Sequence, residues 1–589
     1  MGKRVIVFLL TFVLLFTFSI VPMSQAKDKT NGNEEKMAKK WVKEKVKHMT
    51  VEEKVGQLFI VHAYGKTPID PDYTATNIEK KRGGANFKEI IEKYHIGGVI
   101  YFNWSQNIGT PVDLSQVQSL SNGLQEIALK QKNKIPLFIS TDQEGGVVAR
   151  ITEPATVFPG NMALGATRSE EFAKKSAEIM GLELKSLGIN MDFAPDLDVN
   201  VNPENPVIGV RSYSANPDLV ASLGIGQVEG LQSQNVIATG KHFPGHGDTN
   251  VDSHYGLPIV NHDLHTLNKV DLKPFKKAVQ NGIDAIMTAH IVVPALDNSG
   301  LPATLSKPIM TGVLRKQLGY DGLIITDSLD MSGANVLPID QVPVAAFQAG
   351  ADILLNPPDV EVAYNAVLKA VKSKEISKKR LDQSVTRILS AKYKRGIIQQ
   401  PFVKKEAIHN IGLFENLKIA DKLTENSITL IKNNNHVLPL QKGKKVLVTG
   451  PTVANSEKLA ILLLEKGIDA INSSTNASPS TDQIQTAVTK AQNVDVIIVT
   501  AYNANTNSAQ QSFVKALKQT GKPVVVASMR NPYDIMAFPE IDANVLTYGN
   551  RDISTRALAK ALTGEIQPNG KLPVTIPNLY DFGFGLQYK

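Results

Sequence analysis

Eight short apolar runs separated by helix-like stretches constrain this chain more than any other feature. They occupy residues 57–61, 97–102, 136–141, 190–195, 236–241, 285–290, 322–326 and 352–356. Most hold four to seven β-branched or aliphatic residues, the pattern of strands buried on both faces. Helical stretches such as 169–187 and 272–282 lie between them. Thr50, with Glu53 three residues on, forms a capping-box pattern near the start. Eight βα units predict a (β/α)8 TIM-type barrel with insertions, with an open doubly wound sheet as the alternative. Polar residues favour the barrel because they gather just after the strand ends: residues 142–146, Asp196 and Asp198, residues 242–254, His290, and residues 327–330. A barrel brings all its C-terminal strand ends around one site, whereas an open sheet converges only at its switch point.

The pattern breaks near residues 394–416 into a basic connector containing proline. A second α/β segment follows, with strand-like runs at 446–449, 495–500 and 523–528 and helix-like runs near 456–466 and 553–562. The reading is a catalytic barrel over 27–395, a linker over 396–419 and a smaller α/β sandwich domain over 420–589. Gly450 follows the first of these strands, but the G-x-G-x-x-G of a dinucleotide fold is absent.

The N-terminus carries Lys3 and Arg4, then an apolar run to Val21, then Ser24-Gln25-Ala26. That order predicts a signal peptide over residues 1–26 and a secreted chain able to associate with the cell wall, with no membrane-spanning segment once it is cleaved. The chain has no Cys, which removes disulfides, thiolate catalysis, Cys-ligated zinc and iron–sulfur clusters together. The net charge of +8 permits an anionic neighbour such as cell-wall polymer. No Lys/Arg run with interleaved aromatics points to nucleic acid.

Three of the 11 His fall within residues 242–254, along Lys241-His242-Phe-Pro-Gly-His246-Gly-Asp248 and on to Asp252-Ser253-His254. His and Asp together suit a divalent metal. They also suit acid/base work, with Asp252 orienting the imidazole of His254. A structural turn is the third reading. Neither H-E-x-x-H nor G-x-S-x-G occurs, so zincin and serine-elbow chemistry are out and carboxylates and imidazoles remain. Asp327 ends an almost wholly apolar run, where it can be a nucleophile or cap the next helix. Asp142 and Arg150 bracket a Gly145-Gly146 turn. The carboxylate accepts hydroxyls and the guanidinium donates to them, a pair that suits a sugar, with a surface salt bridge as the alternative.

Four motifs then occur in order: Asp142-Gln-Glu-Gly-Gly146 with Arg150; Asn205-Pro-Val-Ile-Gly-Val-Arg211; Lys241-His242 through Asp252-Ser-His254; and Ile325-Thr-Asp327-Ser-Leu-Asp-Met331. With Leu438-Pro-Leu440 and Gly570-Lys-Leu-Pro-Val574 in the second domain, the chain resembles family 3 glycoside hydrolases of the β-N-acetylhexosaminidase branch. The resemblance implies a cofactor-free, metal-free retaining exo-β-N-acetylglucosaminidase. Asp327 would be the nucleophile and His254 with Asp252 the acid/base dyad. Asp142, Arg150, Arg211, Lys241 and His242 would hold the sugar in the −1 subsite. Muropeptides containing N-acetylglucosamine are the implied substrate class. A metal-dependent barrel hydrolase and a non-catalytic cell-wall glycan-binding protein are the rival readings. The glycines and proline at 244–247 suggest a loop that closes over the sugar.

Overall fold

The computed structural model describes residues 23–588. Residues 1–22, the apolar stretch of the expected leader, lie outside them. No helix among the described residues is long and apolar enough to cross a membrane.

All eight apolar runs contain strands. β1 (Phe59–Val61), β2 (Gly98–Ile100), β3 (Phe138–Thr141), β4 (Met191–Asp192), β5 (Ile237–Phe243), β6 (Ala285–Thr288), β7 (Leu323–Thr326) and β8 (Leu354–Leu355) form one parallel sheet. Its order is β8-β1-β2-β3-β4-β5-β6-β7. A parallel bridge between Ile325 and Ile353 joins the two ends, so the sheet curls into a barrel. Strand residues such as Ile60, Val99, Ile139, Ile286 and Ile324 have no measurable exposure. Burying such a side chain contributes roughly 1.5–3 kcal/mol, which is why the runs are apolar on both faces.

The helices around the barrel start where the sequence offers caps. Thr50 and Glu53 exchange side-chain bonds in a capping box, and Ser169 and Asn216 cap the helices Glu170–Ser186 and Pro217–Ser233. The last two pack so closely that a Cβ on Gly230 would stand 2.4 Å from the Lys174 carbonyl oxygen.

The second domain is a six-stranded sheet. β9 (Thr429–Asn433), β10 (Lys445–Pro451), β11 (Asp469–Thr475), β12 (Val496–Ala501), β13 (Val524–Ser528) and β14 (Ala543–Leu546) lie in the order β9-β14-β13-β12-β10-β11. Only the β9–β14 pair is antiparallel. β9 and β11 are the edges. β11 reads Asp-Ala-Ile-Asn-Ser-Ser-Thr, with buried and exposed positions interleaved, so it carries no apolar run to announce it.

The domains share a core: Met162, Ala163 and Val210 of the barrel side cluster with Ile431, Tyr533 and Val574 of the second domain. Polar contacts add to it. Arg551 donates to the Gly146 carbonyl at 2.8 Å, and Ser214 donates to the Pro573 carbonyl. The helix Phe414–Ser427 leads from the connector into β9.

Candidate active site

A cavity partly open to solvent sits at the C-terminal ends of the barrel strands. Asp142, Arg150, Arg211, Lys241, His242, His254 and Asp327 all line it, and every lining residue belongs to the barrel. Seven of the eight residues singled out in the sequence therefore meet in one place. The eighth, Asp252, stands directly behind His254.

One wall is a network of opposite charges centred on Glu144. Its carboxylate accepts two bonds from Arg211, Nε at 2.9 Å and Nη2 at 2.7 Å. Lys241 Nζ lies 2.7 Å from the same carboxylate and 3.0 Å from Asp142. Arg150 stands 3.8 Å from the other Asp142 oxygen. Burial alone would raise the Glu144 carboxyl, but Arg211 and Lys241 outweigh it and hold the group well below the usual carboxylate range. Burial likewise works against the charge on Arg211 and Lys241, and the carboxylates around them keep both charged. The strand pair Gln143–Gly145 and Val148–Ala149 presents Asp142 and Glu144 to this network. Its turn needs Gly146, whose φ is +60° and whose Cβ would meet Gly160 Cα at 2.8 Å.

His242 is fixed as a neutral ring. Burial and the Arg211 cation push it down to about 4. Its Nδ1 lies 2.7 Å from Asp198, which accepts that proton, and its Nε2 faces Arg211 at 3.4 Å. Asp198 also accepts from the backbone N–H groups of His242 and His246. Asp196, Asp198 and His242 are close enough to suggest a metal site. The groups do not fit that role, because both Asp198 oxygens and the His242 Nδ1 are already paired with protein partners. Burial and the neighbouring Asp198 also push the Asp196 carboxyl well up, toward its uncharged form.

Asp327 follows β7. Its Oδ1 accepts only the N–H of Ser328, at 2.7 Å. The next α-helix begins at Gln341, so Asp327 is not a helix cap. Burial would raise its carboxyl, but His242, His290, the Ser328 N–H and Lys241 together lower it below the usual value. His290 holds the turn from beneath, with Nε2 2.9 Å from the Ser328 carbonyl and Nδ1 2.9 Å from Thr304.

The loop after β5 carries the second candidate group. Asp252 Oδ1 accepts from the His254 backbone N–H at 2.9 Å and lies 2.7 Å from His254 Nδ1. This is an Asx-type turn. Nδ1 is engaged, and Nε2 is the nitrogen left for a substrate. The glycines of this loop serve close packing. A Cβ on Gly247 would stand 1.8 Å from the Val199 carbonyl oxygen. His246 anchors the loop inward through Thr249 at 2.8 Å and Ser253 at 3.0 Å.

Three groups at the site carried no role in the sequence reading. Glu144 sits inside the Asp142 motif, two residues on, and that spacing on a strand was the available signal. Asp198 was visible only as a polar residue after a strand. Trp104 lines the cavity mouth, half-exposed, with its ring stacked on Phe102 at 4.6 Å.

Comparison with known proteins agrees with this arrangement. Residues 50–391 match the glycosyl hydrolase family 3 N-terminal domain, and residues 428–588 match the family 3 C-terminal domain. Beta-hexosaminidase A of Pseudoalteromonas piscicida is 36% identical over 559 residues, covering 83% of this chain and 90% of that protein. The beta-N-acetylglucosaminidase/beta-glucosidase of Cellulomonas fimi is 27% identical over 574 residues, covering 91% and 95%. Among solved structures, a family 3 beta-N-acetylglucosaminidase from Paenibacillus sp. str. FPU-7 superposes with a TM-score of 0.81 at 36% identity, covering 90% of this chain and 99% of that one. With an eight-stranded barrel, a second sheet domain and both family domains matched along its length, the chain belongs to glycosyl hydrolase family 3 and is a glycoside hydrolase.

Proposed function

We propose that this protein is a retaining exo-β-N-acetylglucosaminidase acting on fragments of cell-wall glycan, and that Asp327 and the Asp252–His254 pair carry the reaction. The observation that supports it is the meeting of Asp327 and His254 in one cavity with five sugar-binding candidates on its walls. The hexosaminidase relatives favour N-acetylglucosamine as the sugar released.

Asp327, kept ionised, attacks the anomeric carbon while His254 Nε2–H gives its proton to the departing oxygen. The products of this step are a glycosyl ester on Asp327, a neutral His254 and a free leaving group. His254 then takes a proton from water, which attacks the same carbon from the other side and releases the sugar with retained configuration. Asp142 accepts sugar hydroxyl protons while Arg150, Arg211 and Lys241 donate, which holds the ring against Asp327.

Secretion through the residue 1–26 leader would place the enzyme where wall fragments are met, and muropeptides are the substrate class that fits. Turnover of a chromogenic N-acetylglucosaminide with analysis of the product anomer tests the reading. First-formed β-anomer supports it, and first-formed α-anomer overturns it. A metal chelator should leave the rate unchanged.

A further inference from the structure

His262 lies outside the cavity, eight residues beyond His254, yet it grips the loop that carries the acid/base pair. Its Nε2 stands 2.8 Å from Asp248, on that loop, and its Nδ1 2.7 Å from Asp271. Asp271 is almost fully buried just ahead of the helix Leu272–Gln280. It is also where the loop begins: a Cβ on Gly245 would touch Asp271 Cβ at 2.8 Å.

Carboxylate oxygens at bonding distance from both ring nitrogens are met only by a ring with a proton on each. A neutral imidazole would turn a lone pair toward one of them. We propose that His262, as an imidazolium, clasps Asp248 to Asp271 and so acts as a positioning residue that fixes His254 over the cavity.

The loop is tied on several sides, among them by Asn205, which donates to the His246 carbonyl at 2.9 Å, and Asn202, which donates to the Thr249 carbonyl at 3.3 Å. Inward, His246 holds Thr249 and Ser253, and the Ser253 and His254 carbonyls accept from Gly333 and Ser332. Outward, the only side-chain ion pair from the loop to the body of the barrel, among the described residues, is the one through Asp248. Gly245 and Gly247 pack closely, but Asn250 and Val251 beyond them are exposed, so the clasp limits how far residues 248–252 can swing.

The charged groups around the ring agree in sign. Asp271 raises the His262 pKa most, burial opposes it, and Asp248 adds to the rise. Asp263 and His265 on the same segment are the other titratable neighbours. The folded-state pKa lies above the ordinary one, so the clasp is complete at mildly acidic pH and is released as pH rises through the raised value.

The proposal rests on His254 being the acid/base group, and its test separates the two. His262→Gln keeps size but pairs one carboxylate at most. Asp248→Ala removes the acceptor from the solvent side, where folding is not at stake. In both variants, amide hydrogen exchange over residues 245–256 should rise. The kcat for an N-acetylglucosaminyl disaccharide should fall roughly 10–100-fold, the scale set by slight misplacement of a reacting group. KM, and the release of an acidic phenol from an aryl glycoside, should change little. Unchanged loop exchange in Asp248→Ala overturns the clasp. Faster exchange with an unchanged disaccharide-to-aryl ratio overturns the positioning role. If His254→Ala loses equal activity on both substrates while the variants still loosen the loop, the acid/base reading has failed and the clasp has not.

Discussion

The Arg211 guanidinium binds the Glu144 carboxylate through two hydrogen bonds, at 2.9 and 2.7 Å, inside the wall of the candidate-site cavity. Lys241 shares the same carboxylate. The pairing explains how two cations persist in a largely buried wall. Glu144 offsets their charge, leaving Asp142 and Arg150 at the outer side of the network, on the cavity.

Glu144→Gln therefore leaves Arg211 and Lys241 facing each other with one carboxylate fewer. Removing one partner of a buried ion pair typically costs roughly 3–5 kcal/mol. Chemical denaturation should show a loss of that order, with KM for an aryl N-acetylglucosaminide rising in the fraction that stays folded. A variant as stable and as active as the parent would refute the role given to Glu144.

Asp327→Ala should lower kcat by several orders of magnitude while a substrate analogue still binds, because the cavity walls are intact. Equilibrium binding and turnover, measured on the same preparation, separate the two effects. Near-parental turnover would remove Asp327 from the mechanism.

The second domain contributes no residue to the cavity lining, although its core is continuous with the barrel side. Changes in its loops, such as Tyr502→Ala or Arg530→Ala, should leave kcat/KM on a small aryl substrate within about twofold, as expected of substitutions remote from a site. A folded but inactive variant there would reveal a missed catalytic group.

Acid should destabilise the fold through its buried imidazoles. His246 is pushed down to about 4, first by burial. Its folded-state pKa lies below the ordinary 6.5, so the unfolded chain binds the proton first. The contribution of the neutral ring is full above about pH 6.5 and is lost as pH falls toward 4, a change of up to roughly 3 kcal/mol. His246→Gln should flatten the fall in unfolding free energy across that window. The same slope in parent and variant would contradict the assignment.

Much of this was legible in the residues alone. Runs such as 322–326 are apolar because both faces of a barrel strand are buried, so the sequence pattern and the fold share one cause. The site could be found because its residues follow those runs directly. The edge strand β11 was not legible, since exposure on one side lets Asp469, Asn472 and Ser474 interrupt the pattern. Nor was the His262 clasp: its partners, Asp248 and Asp271, lie 14 and 9 residues away on either side, and only the folded loop brings them to one ring. Asp252 and His254 meet through an Asx turn, which their two-residue spacing permits.

The central claim is that Asp327 takes the sugar and His254 moves the proton. His254→Ala, mixed with an aryl N-acetylglucosaminide whose phenol needs no protonation, tests it most directly by mass spectrometry of the quenched enzyme. The account predicts a burst of phenol and a protein heavier by one N-acetylglucosaminyl group, mapped to the peptide containing Asp327. Absence of any adduct, with equal loss of activity on the aryl substrate and on a natural disaccharide, would contradict it.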